Sequence, residues 1–183
     1  ENHQPATKGS WPDRKAAAMQ AYFEWMPIRD AAPHDPWEAI NRHFAFGDLA
    51  TLTMVESRLL ARNEAAGFKG ETPQGEQIES VLATRNDPKR ELIGPKQEQW
   101  LEDQLANGTK AGTPWQLIGN QIIMARVNGP DLGKLRGEEQ AAAAINALPE
   151  AFRELVRERQ AVYRAGLPFN LDAWDGYPAA RER

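Results

Sequence analysis

Asp172 and Asp175 are the carboxylates best placed for chemistry, set in the run Asn170-Leu171-Asp172-Ala173-Trp174-Asp175-Gly176-Tyr177. Hard cations take carboxylate and carbonyl oxygens, and a short loop stiffened by Trp174 and Tyr177 and turned at Gly176 suits such an ion. Asp175 is therefore a candidate metal ligand, for calcium above all, with Asp172 as its neighbour or as a loop stabiliser. The same residues also fit a plainer role, in which Asp175 caps the turn at Gly176 or a helix beginning near Pro178. The three histidines, His3, His34 and His43, do not have the spacing of a zinc site. Glu56-Ser57-Arg58 ends a strand, so its arginine either approaches a site or pairs with the acid. No catalytic residue can be assigned from spacing alone: there is no phosphate-binding Gly-rich loop with Lys, no Gly-x-Ser-x-Gly elbow and no His-Glu-x-x-His. Cysteine is absent, which removes disulfides, thiolate metal sites and Cys nucleophiles from this chain.

The elements that must hold these residues can be read from punctuation and periodicity. Ser10-Trp11-Pro12-Asp13 has the composition of a capping box, and Ala16, Met19, Phe23 and Met26 follow at helical spacing until Pro27 stops the helix. Residues 43–47 and 50–55 predict a strand pair around the turn residues Gly47 and Asp48. Residues 61–90 carry many Gly, Glu, Asn and Pro with little periodicity and predict a long surface excursion. Gly94-Pro95 opens a further helix with Trp100, Leu101 and Leu105 as its buried positions and Gly108 as its cap. Residues 115–124 predict a buried strand, and residues 141–148 and 149–163 two helices divided at Pro149. Strands alternating with helices predict an α/β (α+β) fold with helices layered on strands.

Composition bounds the function. The 183 residues are 41% hydrophobic and 26% charged, the balance of a globular domain. A net charge of −4 carries no basic footprint, so a nucleic-acid polymer is not an expected partner. The tryptophans Trp11, Trp25, Trp37, Trp100, Trp115 and Trp174 have apolar or acidic neighbours and predict core and loop anchors, not a base-stacking surface. Glu138-Glu139 and the run from Arg153 to Arg159 predict solvated helix faces with i,i+4 pairing. No apolar run reaches the roughly 18 residues of a membrane-spanning helix. The chain opens Glu1-Asn2-His3-Gln4, with no Met and no basic-then-apolar signal peptide, so it reads as a segment of something longer. No repeat or composition shift divides it, and residues 1–183 read as one partial domain.

Four blocks, in order, closely resemble the alkaline phosphatase D family: Tyr22-Phe23-Glu24-Trp25-Met26-Pro27-Ile28-Arg29, then Phe44-Ala45-Phe46-Gly47-Asp48-Leu49 through Glu56-Ser57-Arg58, then Leu92-Ile93-Gly94-Pro95-Lys96-Gln97-Glu98-Gln99-Trp100-Leu101, and the Asp175 run itself. The resemblance covers nearly the whole chain and is weakest over residues 129–150. It implies the middle of a metallophosphoesterase-like α/β sandwich that hydrolyses phosphate monoesters or diesters with clustered calcium and iron. The family's other metal-centre motifs, Gly-Asp-x-x-Tyr, Asp-Asp-His-Glu and Gly-Asp-x-His, do not occur in this sequence. By resemblance only Asp175, with Asp172 the weaker candidate, would belong to the metal cluster. Trp174, Tyr177, Glu56 and Arg58 would support it, and the segment alone would be inactive. The resemblance also implies a small phosphate-ester substrate and a periplasmic or secreted address. The rival reading is a non-catalytic scaffold or protein-interaction domain descended from such an enzyme. A third is a stand-alone module stabilised by calcium.

Overall fold

The computed structural model describes residues 3–30, 38–68 and 75–183. Two compact units emerge, one of residues 1–64 with 93–121, the other of residues 65–92 with 122–183.

The first unit begins with helices α1 (Pro5–Lys8) and α2 (Trp11–Trp25). Pro12 lies in the first turn of α2, where its missing N–H costs nothing, but Ser10 makes no side-chain capping bond. Met26 is already extended, as a residue before proline tends to be, and α2 ends there. Strands β1 (Arg42–Phe46) and β2 (Ala50–Met54) form the expected antiparallel hairpin. Gly47 takes a positive φ of 58° in its turn, a conformation that most side chains resist. Helix α4 (Pro95–Lys110) leads into β3 (Trp115–Gly119), which pairs parallel with β2, so the sheet is mixed with order β1-β2-β3. Helix α4 lies against β2. The fold is therefore α/β in the α+β sense, as the sequence predicts.

The second unit contains α3 (Gly75–Arg85), α5 (Leu132–Arg136), α6 (Glu138–Asn146), α7 (Glu150–Arg164) and α8 (Pro178–Glu182). Its core joins Ala66, Ile78, Val81, Val162 and Leu167, with Phe68, Leu82, Tyr163 and Leu171 packed against them.

Several expectations need correcting. Residues 61–90 are not merely a surface excursion: α3 lies within them and places Ile78 and Val81 in a core. Ile78, Val81 and Leu82 do recur at i, i+3 and i+4, but they make a single helical turn among Glu, Gln, Ser and Thr, with no second turn to extend the pattern. In α4 the buried positions are Gln97 and Gly108, while Trp100, Leu101 and Leu105 are only half-buried. Gly108 is no cap but lies within the helix, where a Cβ would strike the Gln116 side chain. The strand at 115–124 stops at Gly119 and is not buried: Trp115, Leu117 and Ile118 are exposed, and among the described residues β3 pairs with β2 alone. Of the tryptophans described, Trp174 is buried, while Trp25 is 84% exposed at the end of α2 and Trp11 and Trp115 are also open. Trp37 lies outside the described residues. The charged helix faces carry the pair Arg157–Glu154 at i,i+3 and the pair Arg164–Glu138 between helices. Among the described residues, no helix is long and apolar enough to cross a membrane.

Replacing Ile78 with Ala tests the place of α3 in a core. Such a cavity costs about 2–4 kcal/mol, whereas a surface position would change stability by less than about 0.5 kcal/mol; urea denaturation of the two chains decides.

Candidate functional site

The run that holds Asp175 folds as a chain reversal. Asn170 accepts the Asp172 N–H at 2.8 Å in an Asx turn, and Trp174–Gly176 makes one turn of 3-10 helix closed by Gly176 N–H to Ala173 carbonyl and Tyr177 N–H to Trp174 carbonyl. The reversal brings position 176 against the Leu171 carbonyl so closely that any Cβ there would collide with backbone, which explains the glycine. Helix α8 follows directly, with Pro178 in its first turn.

Asp175 is 4% exposed. Its Oδ2 accepts the Val127 N–H at 2.7 Å, and its Oδ1 accepts from Arg181 Nη1 at 2.5 Å. Its own carbonyl accepts from Arg85 Nε at 2.7 Å. Burial holds the Arg85 guanidinium below the usual arginine range; the Asp175 charge pulls it back up, while Arg181 and Arg126 push it down. Tyr177 is fully buried, with the Arg90 guanidinium 4.8 Å above its ring. Trp174 is buried too, and its indole N–H has no hydrogen-bond partner among the described residues.

Each Asp175 oxygen thus accepts from a donor of this chain, one a guanidinium and the other a backbone N–H, so the carboxylate already organises its own surroundings without a cation. Among the described residues no group of three or more acidic or histidine side chains converges as a metal site. His3 meets Trp11 in a tilted ring contact with centroids 5.4 Å apart, and His43 Nδ1 shares a hydrogen bond with Thr53 Oγ1 at 2.9 Å. His34 lies outside the described residues.

Glu56-Ser57-Arg58 lies in the first unit, just past β2. Glu56, only 1% exposed, turns its carboxylate back onto the loop, where it accepts the N–H groups of Arg58 at 2.6 Å, Leu59 at 2.9 Å and Leu60 at 2.9 Å. Glu56 thus meets Arg58 through the backbone N–H, and the Arg58 side chain is exposed. The Gln97 amide brackets Glu56, accepting its N–H at 2.7 Å and donating to its carbonyl at 2.8 Å. Gln121 Oε1 accepts both the N–H and the hydroxyl of Ser57 at 2.8 Å. Gln97 and Gln121 escaped the sequence reading, because a glutamine carries no motif until its partner, 41 or 64 residues away, is known.

Comparison with known proteins places the class. The description of PhoD-like phosphatases matches residues 1–183, and the chain belongs to that family. It is 32% identical to alkaline phosphatase D of Bacillus subtilis (strain 168) over 171 residues, which is 93% of this chain and 22% of that protein. The solved structure titled "Structure of PhoD" superposes with a TM-score of 0.55 at 29% identity, covering 93% of this chain and 24% of the other. The chain thus spans under a quarter of the length of these relatives.

Two outcomes follow from the Asp175 geometry. Asp175→Ala leaves a buried guanidinium and N–H without their acceptor and costs about 3–5 kcal/mol. Arg181→Ala costs a comparable amount, and the double variant costs less than the sum, because the two share one interaction; strict additivity in urea titrations would separate them. Calcium at millimolar concentration leaves the melting temperature of this chain unchanged to within about 1 °C. A calcium-dependent rise that disappears in Asp175→Ala would restore the ligand assignment.

Proposed function

We propose that this chain is part of a hydrolase of phosphate esters, in which water attacks phosphorus and the ester oxygen leaves with a proton. The observation that carries this reading is that the family match runs over every residue of the chain. The relative's printed name, alkaline phosphatase D, supports the same reaction class.

Calcium and iron belong to this reading as ions held by other segments of a longer protein, since among the described residues no group of three acidic or histidine side chains converges. What the chain itself supplies is support and positioning. Asp175, Arg181 and Val127 fix the reversal before α8, and Glu56, Gln97 and Gln121 fix the loop after β2. Substrates would be small phosphate monoesters or diesters, and a periplasmic or secreted address accompanies the reading. The engagement of both Asp175 oxygens favours the second reading, a scaffold without catalysis of its own, for the isolated chain.

The test compares the 183-residue chain with the longest natural protein that carries it. The longer protein hydrolyses p-nitrophenyl phosphate or its bis ester, and the isolated chain hydrolyses neither. Inactivity of both on these esters favours the scaffold, and turnover by the isolated chain, with contaminants excluded, would place catalytic groups within it.

A further inference from the structure

Helix α4 takes one face of the mixed sheet. On that side Thr51 and Thr53 are buried, and Gln116 donates to the Thr109 hydroxyl of α4 at 3.0 Å. Side chains alternate along a strand, so the residues between these share the opposite face. The register lines them up in rows across the three strands: Phe44, Leu52 and Leu117 in one, Phe46, Ala50 and Trp115 in the next, Met54 and Gly119 in a third. Met54 and Gly119 confirm the shared side, because the Met54 sulfur lies where a Cβ at 119 would stand.

This second face is apolar and open. Phe46, Leu117 and Trp115 are 57%, 50% and 63% exposed, and Phe44 and Met54 are exposed beside them. The free area is on the order of 500 Å², at the upper end of the apolar patches that monomeric proteins leave uncovered. Arg42 is the one charged residue in these rows, at their end, and its guanidinium donates to the Ala39 and Asn41 carbonyls at 2.6 and 2.9 Å. Such a face offers little to a charged partner and gains most from contact with another apolar layer. The relatives match 93% of this chain, yet more than three quarters of each lies outside the matched stretch. A layer joined to the same polypeptide also meets the face without the loss of translational and rotational freedom that a separate molecule incurs.

We propose that the face formed by Phe44, Phe46, Leu52, Trp115 and Leu117 is an internal interface of a longer protein. Its occupant is a layer of the same polypeptide outside these 183 residues, aliphatic and aromatic on its inner side and without charge there. Hydrolysis of phosphate esters is not needed for this proposal, which stands or falls on the packing alone.

The experiment is hydroxyl-radical footprinting of the longest natural protein carrying this chain, read by mass spectrometry at Trp115 and Phe46. Both side chains oxidise at least about 10-fold more slowly in the native protein than in urea, equally at nanomolar and micromolar protein. Trp174, buried within this chain, is protected in the same native sample and reports that the protein is folded. Native oxidation of Trp115 and Phe46 within about twofold of that in urea, with Trp174 still protected, overturns the proposal. Protection that disappears on dilution to nanomolar protein, with a doubled mass by light scattering at micromolar protein, also overturns it and assigns the face to a second copy.

Discussion

A buried carboxylate that accepts consecutive backbone N–H groups is the constraint on which the rest of this structure turns. Where a strand ends and the chain changes direction, the next few N–H groups have no ladder partner, and each one left unsatisfied in the interior costs about 1–3 kcal/mol. Glu56 meets that need after β2 with one side chain and three donors. The carboxylate gains as well, since its burial is tolerable only with full hydrogen bonding. Asp175 answers the same problem in the second unit, where Val127 needs an acceptor and Arg181 a counter-charge.

Glutamine does the complementary work wherever a segment needs both a donor and an acceptor. Gln97 takes the N–H and gives to the carbonyl of Glu56, in effect one rung of a missing strand. In the second unit Gln160 does likewise, accepting the Leu132 N–H at 2.8 Å and donating to the Pro130 carbonyl at 2.9 Å at the entry to α5. Both glutamines are buried on helices, so a rigid rod carries an amide to an irregular stretch of chain. This satisfies loop backbone without a further strand.

These devices explain what was legible beforehand. The hairpin, the starts at Trp11 and Pro95 and the division at Pro149 are local: each depends on residues within a turn or two, and each was readable from Gly, Pro and periodicity. The exposure of β3 was not, because burial of Trp115 and Leu117 is decided by what packs on their face of the sheet and not by their own hydrophobicity. Helix α3 is hidden for the opposite reason, since its polar composition leaves a single turn of apolar residues, Ile78, Val81 and Leu82, to reach the core. The family, by contrast, was visible in blocks that keep their order along the whole chain.

Asp175 shows the limit most clearly. Its neighbours Trp174, Gly176 and Tyr177 suit a metal loop and a structural turn equally, because both require a stiff reversal with an acid at its apex. The choice lies with groups that the local sequence does not contain: Val127, 48 residues earlier, and the orientation of Arg181, six residues later and past a helix start. Once those two are in place, the carboxylate's charge is answered and its position fixed. Glu56 carries the same lesson in reverse, because an acid two residues before an arginine invites an ion-pair reading, and the structure turns that acid inward onto the backbone N–H groups of residues 58–60. In both places the acid organises the chain, and the backbone beside it is fixed by that acid's hydrogen bonds.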